Sequence, residues 1–493
     1  MNIYLRNHSY NYAVEQMLFS LFPGEKPVYP EGEPAEGEDY LISALDSKAL
    51  TSHALLCISG KTAEGSAEFD SILAGGSVEQ KLVRLSFYRA AVKLLNSSPP
   101  WGSVTGVHPA KLAARYMIKS GCNEACAAEY LQNVYSVSPD KAMLAAAAAS
   151  AGIRVDNSLQ PEEVSLYVGI PFCPTRCSYC SFVSQSVDKS LLLVEPYLEA
   201  LYKEIIAVGH LVREQCLRVI SVYIGGGTPT TLSAEQLNKL MSVLSESLDL
   251  SSCREYTVEA GRPDTITERK LRVISNGGAS RISINPQSMN DAVLRAIGRL
   301  HTGQDIVDSY KLAQSVFNGA VNMDLIAGLP SDTTEGFIKS LDSVIALKPE
   351  NITVHTLTSK RGSNLTEEGH YAYESGTAAE MVDYSKAALT EAGYKPYYLY
   401  RQKQSAGGLE NVGWCKPGYE SIYNIIMMEE LQSVLSLGAG GVTKLVNKAT
   451  GKIERLNNKK YPREYIESIE DIIKSKLNMN EFFSGIKKHL QEA

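Results

Sequence analysis

A chain of 493 residues with 44% apolar content is long enough to bury the cores of roughly two or three domains, and no tract is biased enough to stay unfolded. A formal charge of −7 argues against a general nucleic-acid or anionic-membrane surface, since both need a basic face, but leaves room for a local basic pocket near Lys360-Arg361 or Arg401-Gln402-Lys403. The longest apolar runs, such as 142–151, are too short and alanine-rich to span a membrane, and Met1–Arg6 lacks the pattern of a signal peptide. Nine cysteines, three of them clustered, fit reduced thiols rather than a disulfide framework, so a cytoplasmic location is expected.

In chain order, Met1–Arg6 reads as a strand and Tyr12–Leu21 as an amphipathic helix, followed by a Pro/Gly/Glu-rich loop from Pro23 to Glu38. Leu82–Asn96 has helical periodicity and stops at Ser97-Ser98-Pro99-Pro100. Three short helices follow, Pro109–Ser120, Glu124–Tyr135 and Pro139–Ala151. Residues 1–160 therefore predict an N-terminal α+β domain whose composition points to no chemistry. Cys122 and Cys126 have metal-pair spacing, but packing of two small apolar side chains accounts for them as well.

From residue 161 the rhythm changes to alternating strand and helix. Strands are predicted at Glu163–Ile170, Arg218–Ile224, Glu255–Glu259, Ser280–Asn285, Val321–Ala327 and Asn351–His355. Helices are predicted between them at Leu191–Gly209, Ala234–Leu248, Thr267–Ser275, Thr302–Asn318 and Thr334–Ala346. Such alternation implies βαβ units around a parallel sheet, hence an α/β core over 161–358 built as a full or incomplete (β/α) barrel. Barrels carry their chemistry at the C-terminal ends of the strands. Residues 359–493 predict a mostly helical extension: a helix at Ala378–Ala392, an aromatic strand at Tyr394–Tyr400, a Gly/Asn-rich loop at Ser405–Gly413 and helical stretches at Ile422–Leu435 and Pro462–Leu490.

The first barrel strand runs into Cys173-Pro174-Thr175-Arg176-Cys177-Ser178-Tyr179-Cys180. Three soft thiolates on one loop favour an iron–sulfur cluster or zinc. A zinc site wants a fourth ligand at matching spacing, yet Ser181, Phe182 and Val183 come next. The second strand ends in Gly225-Gly226-Gly227-Thr228-Pro229-Thr230, where a ligand can approach bare backbone; no Gly-Lys-Ser/Thr follows, so this is not a Walker loop. Glu259 closes the third strand, Gln287 and Arg299 follow the fourth, and Asp324 lies in the fifth. Polar groups on apolar strands cost stability unless paired, so their convergence at one barrel end predicts a polar ligand.

These motifs resemble those of radical S-adenosylmethionine (SAM) enzymes. More narrowly, the chain is similar to the oxygen-independent coproporphyrinogen III oxidase (coproporphyrinogen dehydrogenase) family and its HemZ-type branch. The resemblance spans about residues 163–445 and rests on Tyr167–Cys173, Cys177–Cys180, Tyr223–Thr230, Arg281–Gln287 and Asp324–Pro330. Trp101–Gly106 and Tyr400–Lys403 look specific to the branch. The resemblance implies an incomplete barrel of radical SAM type. It also implies that Cys173, Cys177 and Cys180 ligate a [4Fe–4S] cluster whose fourth iron is chelated by SAM. Tyr167 and Tyr179 would pack around cluster and SAM, and Gly226, Gly227 and Thr228 would meet the methionine end. Glu259, Gln287, Arg299 and Asp324 would hold its amino-acid and ribose parts, with Ala327 and Gly328 flanking the adenine.

In the mechanism so implied, one electron from a donor such as a flavodoxin or ferredoxin cleaves SAM to methionine and a 5′-deoxyadenosyl radical. The radical takes a hydrogen from the β-carbon of a porphyrinogen propionate, and loss of carbon dioxide and a further electron leaves a vinyl group. Done twice, this converts coproporphyrinogen III to protoporphyrinogen IX, in haem biosynthesis. Arg361, Arg401 and Lys403 are candidate anchors for the carboxylates. Two positions depart from the best-studied branch, which has a cysteine at the position of Phe182 and a histidine at that of Gly169. Phe182 is the pattern of the haem-chaperone branch, so a haem carrier and an enzyme acting on another tetrapyrrole stand beside the oxidase.

Overall fold

The computed structural model describes residues 1–22, 24–69, 77–181, 185–358, 375–402 and 408–492. Phe182, Lys360, Arg361 and Lys403 lie outside the described residues. The chain divides into two compact units, Met1–Ser150 and Ala151–Ala493.

In the first unit, strand β1 (Asn2–Arg6) pairs in parallel with β2 (Tyr40–Asp46), and β3 (Thr51–Ile58) and β4 (Lys61–Glu68) extend the sheet by antiparallel pairing. Along β2, buried Leu41, Ser43 and Leu45 alternate with more exposed neighbours, the period expected of a sheet covered on one face. The helices Asn11–Leu21 and Val78–Leu95 supply the other half of the core through Val14, Leu18, Leu82 and Phe87.

The second unit is built on an open sheet of 11 strands. Its centre is the run of parallel strands β5 (Glu163–Ile170), β8 (Arg218–Gly226), β9 (Glu255–Glu259), β10 (Arg281–Ser283), β11 (Ala320–Ala327) and β12 (Asn351–Thr356). All six strands predicted from the sequence are present. Seven of the eight β5 residues are buried, as expected of a parallel strand covered on both faces. The intervening helices begin where side chains can cap them. Ser233 with Gln236 and Thr302 with Asp305 form reciprocal capping boxes, each satisfying backbone donors that a helix start leaves open. Between β5 and β8, a two-stranded ladder of β6 (Phe172–Cys173) and β7 (Gln185–Ser186) carries the first loop cysteine.

The barrel is not closed. Beyond β12 the sheet continues through β14 (Glu410–Cys415) and β13 (Lys395–Arg401), both antiparallel. Beyond β5 it continues through β15 (Val434–Leu437), parallel to β5, and then the antiparallel hairpin β16 (Val442–Asn447) and β17 (Lys452–Asn457). Of these strands the sequence reading expected β13; β16 and β17 lie where it placed no element, and two others replace predicted elements. The helix predicted over 422–435 stops at Glu429, with Glu430 in the left-handed conformation (φ 56°), and the apolar tail becomes β15. A short apolar run suits a buried strand and a buried helix equally, so periodicity cannot separate them. Part of the predicted loop 405–413 is β14, all of whose residues are buried. Its Gly413 reads as a loop residue but lies flat under Tyr398, whose ring occupies the place a Cβ would take.

A buried charged network fastens the C-terminal helices to the sheet. Glu204 accepts hydrogen bonds from the Gly438 amide (2.8 Å), Asn458 Nδ2 (2.8 Å) and Tyr465 OH (2.6 Å). Lys476 Nζ stands 3.9 Å away and donates to Ser436 O and Thr443 Oγ1, each at 2.6 Å. Tyr197 OH donates to Gly169 O at 2.6 Å and accepts from the Ala439 amide at 2.9 Å, tying the 438–441 turn to the end of β5. Removing one partner of such a buried pair costs about 3–5 kcal/mol. Among the described residues no helix is long and apolar enough to cross a membrane.

Candidate active site

The C-terminal ends of the parallel strands surround a cavity of about 400 Å3. The cysteine loop forms one rim. It is pinned from below by the 297–299 turn, where the Ser178 amide donates to Ile297 O (3.1 Å) and Thr175 Oγ1 to Gly298 O (3.1 Å). Cys180 borders the cavity, Cys177 is buried and Cys173 is half-buried, and none of the three forms a disulfide. Thr228 Oγ1 donates to Cys173 Sγ at 3.5 Å, and Arg262 Nη1 to Cys177 Sγ at 3.7 Å. The glycine run packs against this loop. Gly227 N donates to Ile170 O at 2.7 Å, and a Cβ on Gly227 would stand 2.5 Å from Phe172 O. Gly226 holds φ 103°, a conformation that side chains resist.

Four side chains expected at the site converge on this cavity. Glu259, Gln287, Arg299 and Asp324 all line it, with Tyr179 and Gly227. Arg299 Nη1 donates to Asn285 O at 2.6 Å and Nη2 to Tyr179 OH at 3.2 Å, while Tyr179 OH donates to Gln287 Oε1 at 3.2 Å. Tyr167 and Gly226 border a smaller neighbouring cavity of about 170 Å3 instead, beside Gly169 and Lys460. Ala327 and Gly328 do not line the main cavity. Side chains alternate along β11, so Asp324 and Ile326 point in and Ala327 is buried on the other face. Gly328 packs against the helix Ser375–Glu391, its amide 3.2 Å from Met381 Sδ. Arg401 is not on the cavity wall either; its Nε donates to Gly408 O at 2.9 Å, while Gln402 lines the cavity.

The two cavity carboxyls are driven apart. Burial raises Glu259 to about 7, against a hydrogen bond from Tyr223 OH, with repulsion from Asp324 adding to the rise. Asp324 is half-buried and also desolvated, but His355 and hydrogen bonds from Asn322 and Thr353 overcome that desolvation and hold its pKa below the ordinary value. His355 Nε2 lies 3.7 Å from Asp324 Oδ2, and its Nδ1 lies 3.4 Å from Tyr400 OH. One carboxyl stays ionised and the other titrates near neutrality, the usual sign of a working site.

Sequence reasoning missed His355, although it ends a predicted strand, and Arg262, three residues beyond another. It also missed the opposite wall. A bulge between Pro396 and Tyr398 lets Tyr397 border the cavity together with Tyr398 and Tyr400. The helix Ile422–Glu429 contributes Asn424 and Met428. Glu255 fixes that helix by accepting from Ser421 Oγ (2.8 Å) and the Ile422 amide (2.9 Å), a carboxylate at a helix N-terminus.

Residues 167–344 match the model of the Radical SAM superfamily. The chain is 40% identical over 396 residues to the oxygen-independent coproporphyrinogen-III oxidase-like protein HemZ of Bacillus subtilis (strain 168), covering 79% of each. The chain belongs to the HemZ-type family of radical SAM proteins. It is also 30% identical over 336 residues to the heme chaperone HemW of Bacillus subtilis (strain 168), covering 66% of this chain and 83% of that protein. Coproporphyrinogen III oxidase HemN from Escherichia coli superposes with a TM-score of 0.52 at 22% identity, over 66% of this chain and 72% of that one, which shows the shared fold.

Membership of the superfamily implies an iron–sulfur cluster and SAM, and the residues present fit both. Thiols spread along a loop suit a cluster, in which each iron takes its own cysteine. The adjoining cavity offers carboxylates for an ammonium and ribose hydroxyls and a guanidinium for a carboxylate.

Proposed function

We propose that this protein is a radical SAM enzyme that decarboxylates two propionates of coproporphyrinogen III to vinyl groups, giving protoporphyrinogen IX. The observation that carries this is the convergence of Cys180, Glu259, Gln287, Arg299 and Asp324 on one cavity. Cys173, Cys177 and Cys180 would hold a [4Fe–4S] cluster, with SAM on its fourth iron. Together these groups supply a carbon-centred radical when one electron arrives from a flavodoxin- or ferredoxin-like donor.

The chain's own residues bind, orient and shield. Ionised Glu259 meets the SAM ammonium, and Arg299, fixed by Asn285 O and Tyr179 OH, meets its carboxylate. Asp324, kept ionised, takes the ribose hydroxyls. Tyr397, Tyr398 and Tyr400 offer the pyrrole rings of a macrocycle an aromatic wall. Burial lowers the pKa of the Arg401 guanidinium to about 10, which leaves it charged at neutral pH, so a propionate carboxylate brought beside it would gain an ion pair. The helix Ile422–Glu429 helps to wall the cavity from water, which protects a reactive intermediate.

Haem carriage is the second reading, favoured by the 30% identity to HemW across 83% of that protein. Anaerobic incubation of the reconstituted protein with SAM, a reductant and coproporphyrinogen III distinguishes the two. Protoporphyrinogen with methionine and 5′-deoxyadenosine supports the oxidase. Stoichiometric haem binding without decarboxylated product supports the carrier.

A further inference from the structure

Arg262 follows β9 and is 2% exposed. Its guanidinium bridges a carboxylate and the cysteine loop. Nε donates to Asp264 Oδ1 at 3.1 Å and Nη2 to Asp264 Oδ2 at 3.2 Å, a two-pronged ion pair. Nη2 also donates to Thr175 Oγ1 at 3.1 Å, and Nη1 reaches Thr175 O at 3.5 Å and Cys177 Sγ at 3.7 Å. The fork is thus used on both sides, one holding the cation and the other aiming it at the middle cysteine.

The surroundings carry a second buried cation. Arg299, 6% exposed, stands in the same wall; it donates to Gly261 O, Asn285 O and Tyr179 OH and interacts with Cys177 as well. His301 lies between the two arginines and Asp264. Burial and the two arginines press its pKa down to about 4, so it adds no charge at neutral pH. Arg262 and Arg299 both interact with Cys177, so negative charge gathered on that sulfur is met by buried cations, which is favourable where water is excluded.

We propose that Arg262 is a positioning residue that sets the reduction potential of the iron–sulfur cluster through its hydrogen bond to Cys177 Sγ. The inference rests on the cluster-binding part of the function proposed above. Reduction adds one electron to the cluster from a low-potential one-electron donor and neither makes nor breaks a bond to Arg262. A fixed cation donating to a ligand sulfur stabilises the more negative, reduced cluster more than the oxidised one, and so raises the potential. Asp264 holds the guanidinium in place and offsets part of its charge.

The test is a mediated redox titration of the full chain, reconstituted anaerobically without SAM or substrate and followed by the paramagnetic resonance of the reduced cluster. Arg262→Gln should lower the midpoint, cutting the reduced-to-oxidised ratio at fixed potential about tenfold, or about 59 mV for one electron. Arg262→Lys should fall by less, since it keeps the charge and loses the fork. Asp264→Asn should move the other way, because it removes the offsetting negative charge. A fully loaded Arg262→Gln protein with the wild-type midpoint overturns the proposal. If that variant does not hold its cluster, Arg262→Lys and Asp264→Asn decide: displacements of opposite sign support the proposal, and equal midpoints overturn it. A wild-type chain that takes up no [4Fe–4S] cluster removes the cluster reading itself.

Discussion

The two sides of the central cavity are made in different ways. On the cysteine side, each functional group stands at or just past the end of a parallel strand: Cys180 after β5, Gly227 after β8, Glu259 on β9 and Asp324 on β11. These groups are titratable or backbone donors, and short hydrogen bonds fix each one. The opposite side is built from β12, the edge strand β13 and the helix Ile422–Glu429, and is dominated by Tyr397, Tyr398, Tyr400 and Met428. It sets His355 3.7 Å from Asp324, with Tyr400 OH 3.4 Å from the other ring nitrogen. Strand ends in a parallel sheet are rigid and evenly spaced, which suits a cofactor whose atoms must not move. Edge strands and aromatic faces suit a broad substrate, and they can change without disturbing the chemistry.

If the division holds, damage on the two sides has different signatures. Cys180→Ala should abolish cluster retention and SAM cleavage together, read as iron content and 5′-deoxyadenosine. Glu259→Gln should weaken SAM binding by about 10- to 100-fold, the worth of a charged hydrogen bond, read by equilibrium dialysis. The same variant should stabilise the protein without ligand. Because the folded pKa of Glu259 is raised from 4.5 to about 7, the desolvated carboxyl costs nothing below 4.5; the cost builds between 4.5 and about 7, where only the unfolded chain ionises, and is constant above. Glu259→Gln should therefore regain up to about 3 kcal/mol at pH 8 and nothing near pH 4, in paired thermal melts. In the wild type, SAM affinity should rise as pH increases through about 7 and flatten above it.

Far-wall variants should spare the cofactor. Tyr400→Phe should leave SAM affinity within about twofold and lower product formation about tenfold, the effect expected of about 1.4 kcal/mol lost in substrate placement. Arg401→Gln should raise KM for a tetracarboxylate several-fold with kcat little changed, as removal of uniform binding does. Loss of SAM cleavage in any of these would erase the distinction between the walls.

The same contrast explains what was legible in the sequence. The cysteine spacing, the glycine run and the polar residues on apolar strands are local patterns with local causes, and the six strands carrying them could be read from alternation alone. Arg262 was invisible because nothing in Arg262-Pro263-Asp264 signals that it reaches back 85 residues to Cys177. β14 was hidden by its Asn and Gly: Tyr398 lies across Gly413, and Asn411 is held by Thr356 N and Tyr400 O on the flanking strands. The tyrosine wall depended on a bulge, a feature of strand pairing that composition does not encode. Strands β2 to β4 of the first unit escaped for the related reason that β4 is polar along most of its length.

The most direct test of the proposed function uses coproporphyrinogen III deuterated at the propionate β-carbons. Incubated anaerobically with the reconstituted protein, SAM and a reductant, it should give protoporphyrinogen and 5′-deoxyadenosine that has acquired deuterium. Unlabelled 5′-deoxyadenosine with the tetrapyrrole recovered unchanged would contradict it.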